Sequence, residues 1–174
     1  MPIAMDLSRI SVLIIDDSGH MRTILRTILA GFGIRRVFEA VDGMTGVAAT
    51  RDHRPDIVLC DWLMLPRSGA DYMRALRRAP DHALAMTPVV MMSADTRKAV
   101  VIKALQLGIH EFLAKPVSPS LMYERLERVL LENRPFVRKG AFFGPAPRTS
   151  LIGQTPQSGA LAAAGGSADA SVFI

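Results

Sequence analysis

The stretch Pro55-Asp56-Ile57-Val58-Leu59-Cys60-Asp61-Trp62 is a short apolar run that ends in a carboxylate. Four consecutive apolar residues without alternation predict a strand buried on both faces, as at the centre of a parallel sheet. Asp61 then stands at the carboxyl end of that strand, where open α/β sheets bind their ligands. Three other runs end comparably. Val12-Leu13-Ile14-Ile15 leads into Asp16-Asp17, Val89-Val90-Met91-Met92 into Ser93, and Glu111-Phe112-Leu113-Ala114 into Lys115-Pro116. In a parallel sheet these four ends share one edge. Three carboxylates, a hydroxyl and an ammonium then surround one point.

That grouping has a chemical logic. Clustered carboxylates repel one another unless a cation lies among them, and a small set of hard oxygen ligands suits Mg²⁺. A carboxylate beside such an ion can attack phosphorus and form an aspartyl phosphate. Mg²⁺, Lys115 and Ser93 are the candidate partners for the phosphoryl oxygens.

The remaining punctuation supports strict strand–helix alternation. Strands are predicted over Ile10–Ile15, Arg35–Ala40, Ile57–Asp61, Pro88–Ser93 and His110–Ala114. Between them, Ser18 caps a helix whose apolar residues Met21, Ile24, Leu25, Ile28 and Leu29 recur at helical spacing up to Gly31. Asp42-Gly43 opens a second helix that ends near Arg51, and Tyr72, Met73 and Leu76 mark a third. A fourth, Thr96–Leu107, stops at Gly108, and Ser118 caps a fifth through Leu130. The predicted fold class is α/β, a doubly wound five-stranded parallel sheet.

Composition bounds the function. At 174 residues, 49% of them apolar, the chain has room for one well-packed domain. No apolar run approaches the roughly 20 residues of a membrane span, and no signal-peptide core stands at the start. The single cysteine, Cys60, lies within a core strand. These features predict a cytoplasmic chain with no membrane insertion. The net charge of +5 suits an anionic partner without establishing one.

With these residues in place, the chain resembles the receiver domains of two-component response regulators, a (βα)5 flavodoxin/CheY-like fold. The resemblance covers residues 9–133. It rests on Asp16-Asp17, on Asp61-Trp62-x-Met64 with Gly69, on Ser93-Ala94 and on Lys115-Pro116. It implies that Asp61 is the phospho-acceptor. It implies that Asp17, Asp61 and the Leu63 backbone carbonyl bind Mg²⁺, with Asp16 acting through water. Ser93 corresponds to the switch hydroxyl, Phe112 to the switch aromatic and Lys115 to the phosphate-contacting lysine, before a cis Lys115-Pro116 bond. The implied chain is a binding switch and not a turnover enzyme. Its donor is a sensor histidine kinase. Its output is protein contact through the face of helix four, strand five and helix five, with a flagellar motor switch as the family-based partner and no DNA target. A degenerate receiver serving as an unphosphorylated scaffold is the alternative. A flavin-binding relative is disfavoured, because Asp16-Asp17 would repel a bare phosphate. The acceptor loop departs from the family pattern, since Leu65 separates Met64 from Pro66. Position 63 is leucine and position 95 aspartate, so the lifetime of the phosphorylated state stays unassigned.

The sequence divides into a frayed lead at 1–9, the receiver at 10–133, a basic and aromatic extension at 134–148, and an Ala/Gly/Ser-rich segment at 149–174 expected to be disordered. Residues 134–174 carry four basic residues against one acid. Two readings of the extension stand. In one, Phe136, Phe142 and Phe143 pin it to the receiver while its cations stay solvated. In the other, Arg134, Arg138, Lys139 and Arg148 bind cyclic di-GMP, since an arginine fork matches guanine edges and neutralises phosphate. Arg134-x-x-x-Arg138 matches the arginine pair of PilZ domains, and a receiver with an arginine-rich extension resembles the CheY-like cyclic di-GMP effectors.

Overall fold

The computed structural model describes residues 5–148. Five parallel strands form the sheet: β1 (Ser11–Ile15), β2 (Arg36–Ala40), β3 (Ile57–Asp61), β4 (Val89–Ser93) and β5 (Glu111–Ala114), in the order β2-β1-β3-β4-β5. This is the predicted doubly wound class, and its strand order reverses between β1 and β3. The helices are α1 (Gly19–Gly31), α2 (Gly43–His53), α3 (Gly69–Arg77), α4 (His82–Ala85), α5 (Lys98–Gln106) and α6 (Pro119–Leu131).

The apolar runs serve two cores because successive side chains face opposite ways. Val58 and Cys60 of β3 join Leu13, Ile15 and Met91 beneath α2, α3 and α5. Ile57 and Leu59 join Val12, Ile14, Val90 and Met92 against α1 and α6. Every residue of β1, β3 and β4 is buried. The helix starts are fixed by side-chain caps. Ser18 Oγ accepts from the Met21 amide at 3.2 Å, and Asp42 with Thr45 and Ser68 with Asp71 form reciprocal capping boxes.

Four expectations change. The short helix α4 was not read from the sequence, so the anticipated fourth and fifth helices are α5 and α6. Helix α2 continues past Arg51 to His53 and closes on Arg54 in the left-handed region at φ 48°. The lead is anchored within its described part, because Leu7 is buried in the α1/α6 core and its carbonyl accepts from the Ile10 amide at 3.1 Å. The extension is an ordered antiparallel hairpin, β6 (Phe136–Lys139) and β7 (Phe142–Pro145), turned at Gly140 with φ 60°. The disorder expected for 149–174 lies outside the described residues.

The hairpin is held at the amino edge of the sheet. Phe143 is buried, 5.3 Å from the Phe136 ring, and Phe136 lies 5.4 Å from His110. Gly108, at φ 88°, admits this approach: a Cβ there would meet the Phe143 carbonyl oxygen at 2.5 Å. Arg77 ties the region together. Its guanidinium donates to the carbonyls of Ala85 (2.7 Å), Thr87 (2.9 Å) and Gly108 (2.8 Å), and stands 5.0 Å from the Phe136 ring centroid.

Candidate functional site

The sheet register assembles the site. Ile15 pairs with Cys60, so the next residues, Asp16 and Asp61, emerge side by side where the strand order reverses. Ser93 pairs with Ala114, so Lys115 projects just beyond Ser93. Carboxylate oxygens of Asp16, Asp17 and Asp61 lie within 4.8 Å of one another. Lys115 Nζ reaches Asp16 Oδ2 at 3.0 Å and Asp61 Oδ1 at 3.1 Å. The predicted acids and the lysine therefore form one cluster.

Local structure holds each acid differently. Asp16 is fully buried and its Oδ1 accepts from the Ser18 amide at 2.8 Å. Asp17 is exposed, and its Oδ2 accepts from the Leu65 amide at 3.3 Å, which links the first acidic pair to the acceptor loop. Asp61 is 6% exposed, and the nearby Leu63 amide favours its ionised form. Gly69 is needed beneath that loop, because a Cβ would meet the Asp61 carbonyl oxygen at 2.4 Å. Its amide donates to the Trp62 carbonyl at 3.0 Å. Trp62 lies on the acceptor loop just after β3 and packs with Met64 into the α2/α3 core. Leu63 and Leu65 are exposed at the rim. Both Leu65-Pro66 and Lys115-Pro116 are cis.

The electrostatics are asymmetric. Burial pushes the Asp61 carboxyl above its ordinary range; the Lys115 charge opposes this and the Asp16 charge adds to it. Burial alone would lower Lys115, yet its hydrogen bond to Asp16 and the charges of Asp61 and Asp16 outweigh it and hold the ammonium above its usual value. One ammonium shared between two buried acids satisfies itself better than it satisfies either acid. The cluster is thus short of positive charge, and its all-oxygen donor set fits a small hard divalent cation such as Mg²⁺.

Ser93 is buried on the far side of Asp61, and its Oγ accepts from the Asp95 amide at 3.0 Å. Asp95 in turn pairs with Arg97, which holds its carboxyl below the ordinary range. Phe112 is half-buried and packs on the α5 side of the core.

The arginines of the extension stand at the opposite edge of the sheet and are not brought to this site. Arg148 pairs with Glu111 and, at 2.8 Å, with Glu132. The Arg138 guanidinium lies 4.5 Å from the Phe143 ring centroid. Arg134 is half-buried and its Nε has no hydrogen-bond partner; Lys139 is exposed. Sequence reasoning missed two residues that organise this region. Glu111 gathers Arg125, Arg128 and Arg148, and Arg77 clamps the hairpin. The available signals were an acid opening an apolar strand and an arginine four residues after Met73 on the buried face of α3.

Comparison with known proteins agrees with this geometry. Residues 12–127 match the response regulator receiver domain family. The chain is 31% identical over 118 residues to the chemotaxis protein CheY of Pseudomonas aeruginosa, covering 68% of this chain and 94% of that one. It is 37% identical over 145 residues to protein-glutamate methylesterase/protein-glutamine glutaminase 1 of Myxococcus xanthus, covering 83% of this chain but only 40% of that protein. The CheX–CheY complex of Borrelia burgdorferi, solved with BeF3 and Mg²⁺, superimposes with a TM-score of 0.65 at 26% identity, over 71% of this chain and 90% of that one. Five parallel strands with an acidic, lysine-capped pocket at the point of strand-order reversal, and a family match across two thirds of its length, lead to one conclusion: this chain belongs to the response regulator receiver family.

Proposed function

We propose that the chain is a phosphorylation-dependent signalling switch with Asp61 as phospho-acceptor. The observation that carries this is the convergence of Asp16, Asp17, Asp61 and Lys115 on one point. Asp17, Asp61 and the Leu63 carbonyl are the ligands assigned to Mg²⁺, with Asp16 acting through water. When bound, that ion would offset the negative charge of the acids and of the incoming phosphoryl group. A carboxylate oxygen of Asp61 attacks phosphorus as the bond to the donor imidazole of a sensor histidine kinase breaks, and the electron pair stays on the imidazole. Lys115 then exchanges its contact with the Asp61 carboxylate for a phosphoryl oxygen, and Ser93 turns from the Asp95 amide towards another. Phe112 moves into the space that the Ser93 segment leaves. The face of α5, β5 and α6 changes as a result, and with it the affinity for a protein target. Resemblance to chemotaxis CheY proteins favours chemotaxis as the process and a flagellar motor switch as the target.

Beryllofluoride with Mg²⁺ tests the assignment. Amide resonances of Ser93, Phe112 and Lys115 should shift in the wild type and stay fixed in Asp61→Asn. Identical responses in both proteins would instead favour a scaffold that needs no phosphorylation.

Cyclic di-GMP binding by the extension has narrower support. Arg148 is committed to Glu111 and Glu132, which leaves Arg138 and Lys139 as the exposed cations of the hairpin. Titration calorimetry with the dinucleotide decides it: no heat with the wild type, or unchanged heat in Arg134→Ala/Arg138→Ala, removes this reading.

A further inference from the structure

The groove between α2 and α3, about 620 Å³ in volume, takes no part in the chemistry above. Its floor is low and apolar, formed by Val47 and Ala48 of α2 and Ala75 of α3, with Met44 at one end. Met44 is 61% exposed and extends the apolar floor to the surface. Four arginines line the walls, Arg51, Arg67, Arg74 and Arg78, against one acid, Asp71.

These charges are poorly compensated. Asp71 is engaged at the start of α3, where it accepts from the amide and hydroxyl of Ser68, and its contact with Arg74 is a long 3.4 Å. Arg51 meets only its exposed chain neighbour Asp52, a pair of small energetic weight. Arg67 and Arg78 make no ion pair among the described residues. The cations are also spread out. Arg67 precedes α3 and Arg78 closes it, and the nine residues of helix between them span about 14 Å. A single phosphate group would meet one or two of them. A helix with carboxylates along one side would meet all four, and the small floor residues allow its backbone close approach.

We infer that this groove docks an acidic amphipathic helix of a partner protein. The apolar stripe of that helix rests on Met44, Val47, Ala48 and Ala75, and its carboxylates face Arg51, Arg67, Arg74 and Arg78. Arginine suits this position because its planar fork holds carboxylates in paired hydrogen bonds while its stem covers apolar surface. The site lies apart from the α5–β5–α6 face, so the inference stands whether or not that face is the output surface.

Titrating the ¹⁵N-labelled full chain with a designed peptide tests it. The probe is a Leu/Ala/Glu helix with its glutamates on one face; a peptide of identical composition in scrambled order and a single-stranded oligonucleotide of equal charge are the controls. The expected result is saturable shifts at Ala48, Ala75 and their neighbours for the amphipathic peptide. Arg74→Glu/Arg78→Glu, both exposed, should weaken binding by about tenfold or more without changing the thermal melt. Shifts centred on α6 or the hairpin, equal binding of the scrambled peptide, unchanged affinity in the double variant, or binding of the oligonucleotide alone would each overturn the inference.

Discussion

Asp61 is a destabilising residue in the metal-free fold, and that follows from the direction of its shift. Its carboxyl is raised by burial, so folding disfavours the ionised form relative to the unfolded chain. Between the unfolded value and the raised one, the folded protein binds more protons, so stability contributed by this group grows as pH falls. Asp61→Asn should therefore be more stable than the wild type at pH 7 without Mg²⁺, and the difference should shrink towards pH 4. Denaturant unfolding at the two pH values measures this. His110 behaves in the opposite sense. Burial first, then the charges of Arg77, Arg134 and Arg148, push its imidazole down to about 3. The unfolded chain binds the proton first, so stability is fully present above pH ~6.5 and is lost as pH falls towards 3. His110→Phe should flatten that loss, which at its limit is on the order of 5 kcal/mol. An unchanged acid limb in the variant would show that other groups carry it.

At the scale of elements, the hairpin is the addition that a bare receiver lacks. Its sequence did carry a signal. Phe136-Val137-Arg138-Lys139 and Phe142-Phe143-Gly144-Pro145 flank the two residues Gly140-Ala141, a short hairpin pattern with glycine at a positive-φ position. The arginine spacing overlaps that pattern, so the same residues also form a ligand-binding charge pattern. Arg77 and Gly108 were illegible for another reason: their roles depend on a close approach between segments distant in sequence. Gly108→Ala places a methyl group against the Phe143 carbonyl and demands a positive φ, a cost of about 1–3 kcal/mol. Amide hydrogen exchange should then accelerate across β6 and β7 while β1 and β3 stay protected. Uniform acceleration throughout the sheet would mean that the hairpin is part of the global folding unit.

Across the whole molecule, the site was legible wherever it depends on strand ends. Four apolar runs each finishing in a polar group are enough to place Asp16, Asp17, Asp61, Ser93 and Lys115 along one edge, because parallel pairing leaves little freedom in register. The burial of Trp62 was not legible, since it rests on how the acceptor loop folds back so that Gly69 can donate to the Trp62 carbonyl. The α2–α3 groove was hidden for a similar reason: its arginines come from two helices and a loop and form no motif in the sequence. Among the described residues no helix is long and apolar enough to cross a membrane.

The proposed switch requires Asp61 to accept a phosphoryl group. Incubation with acetyl phosphate and Mg²⁺, followed by intact-mass measurement and borohydride trapping of the acyl phosphate, tests it directly. The wild type should gain the mass of one phosphoryl group and be trapped at Asp61, while Asp61→Asn and wild type without Mg²⁺ should gain none. A modification that persists in Asp61→Asn, or a wild type that remains unmodified with Mg²⁺ present, would show that Asp61 is not the acceptor.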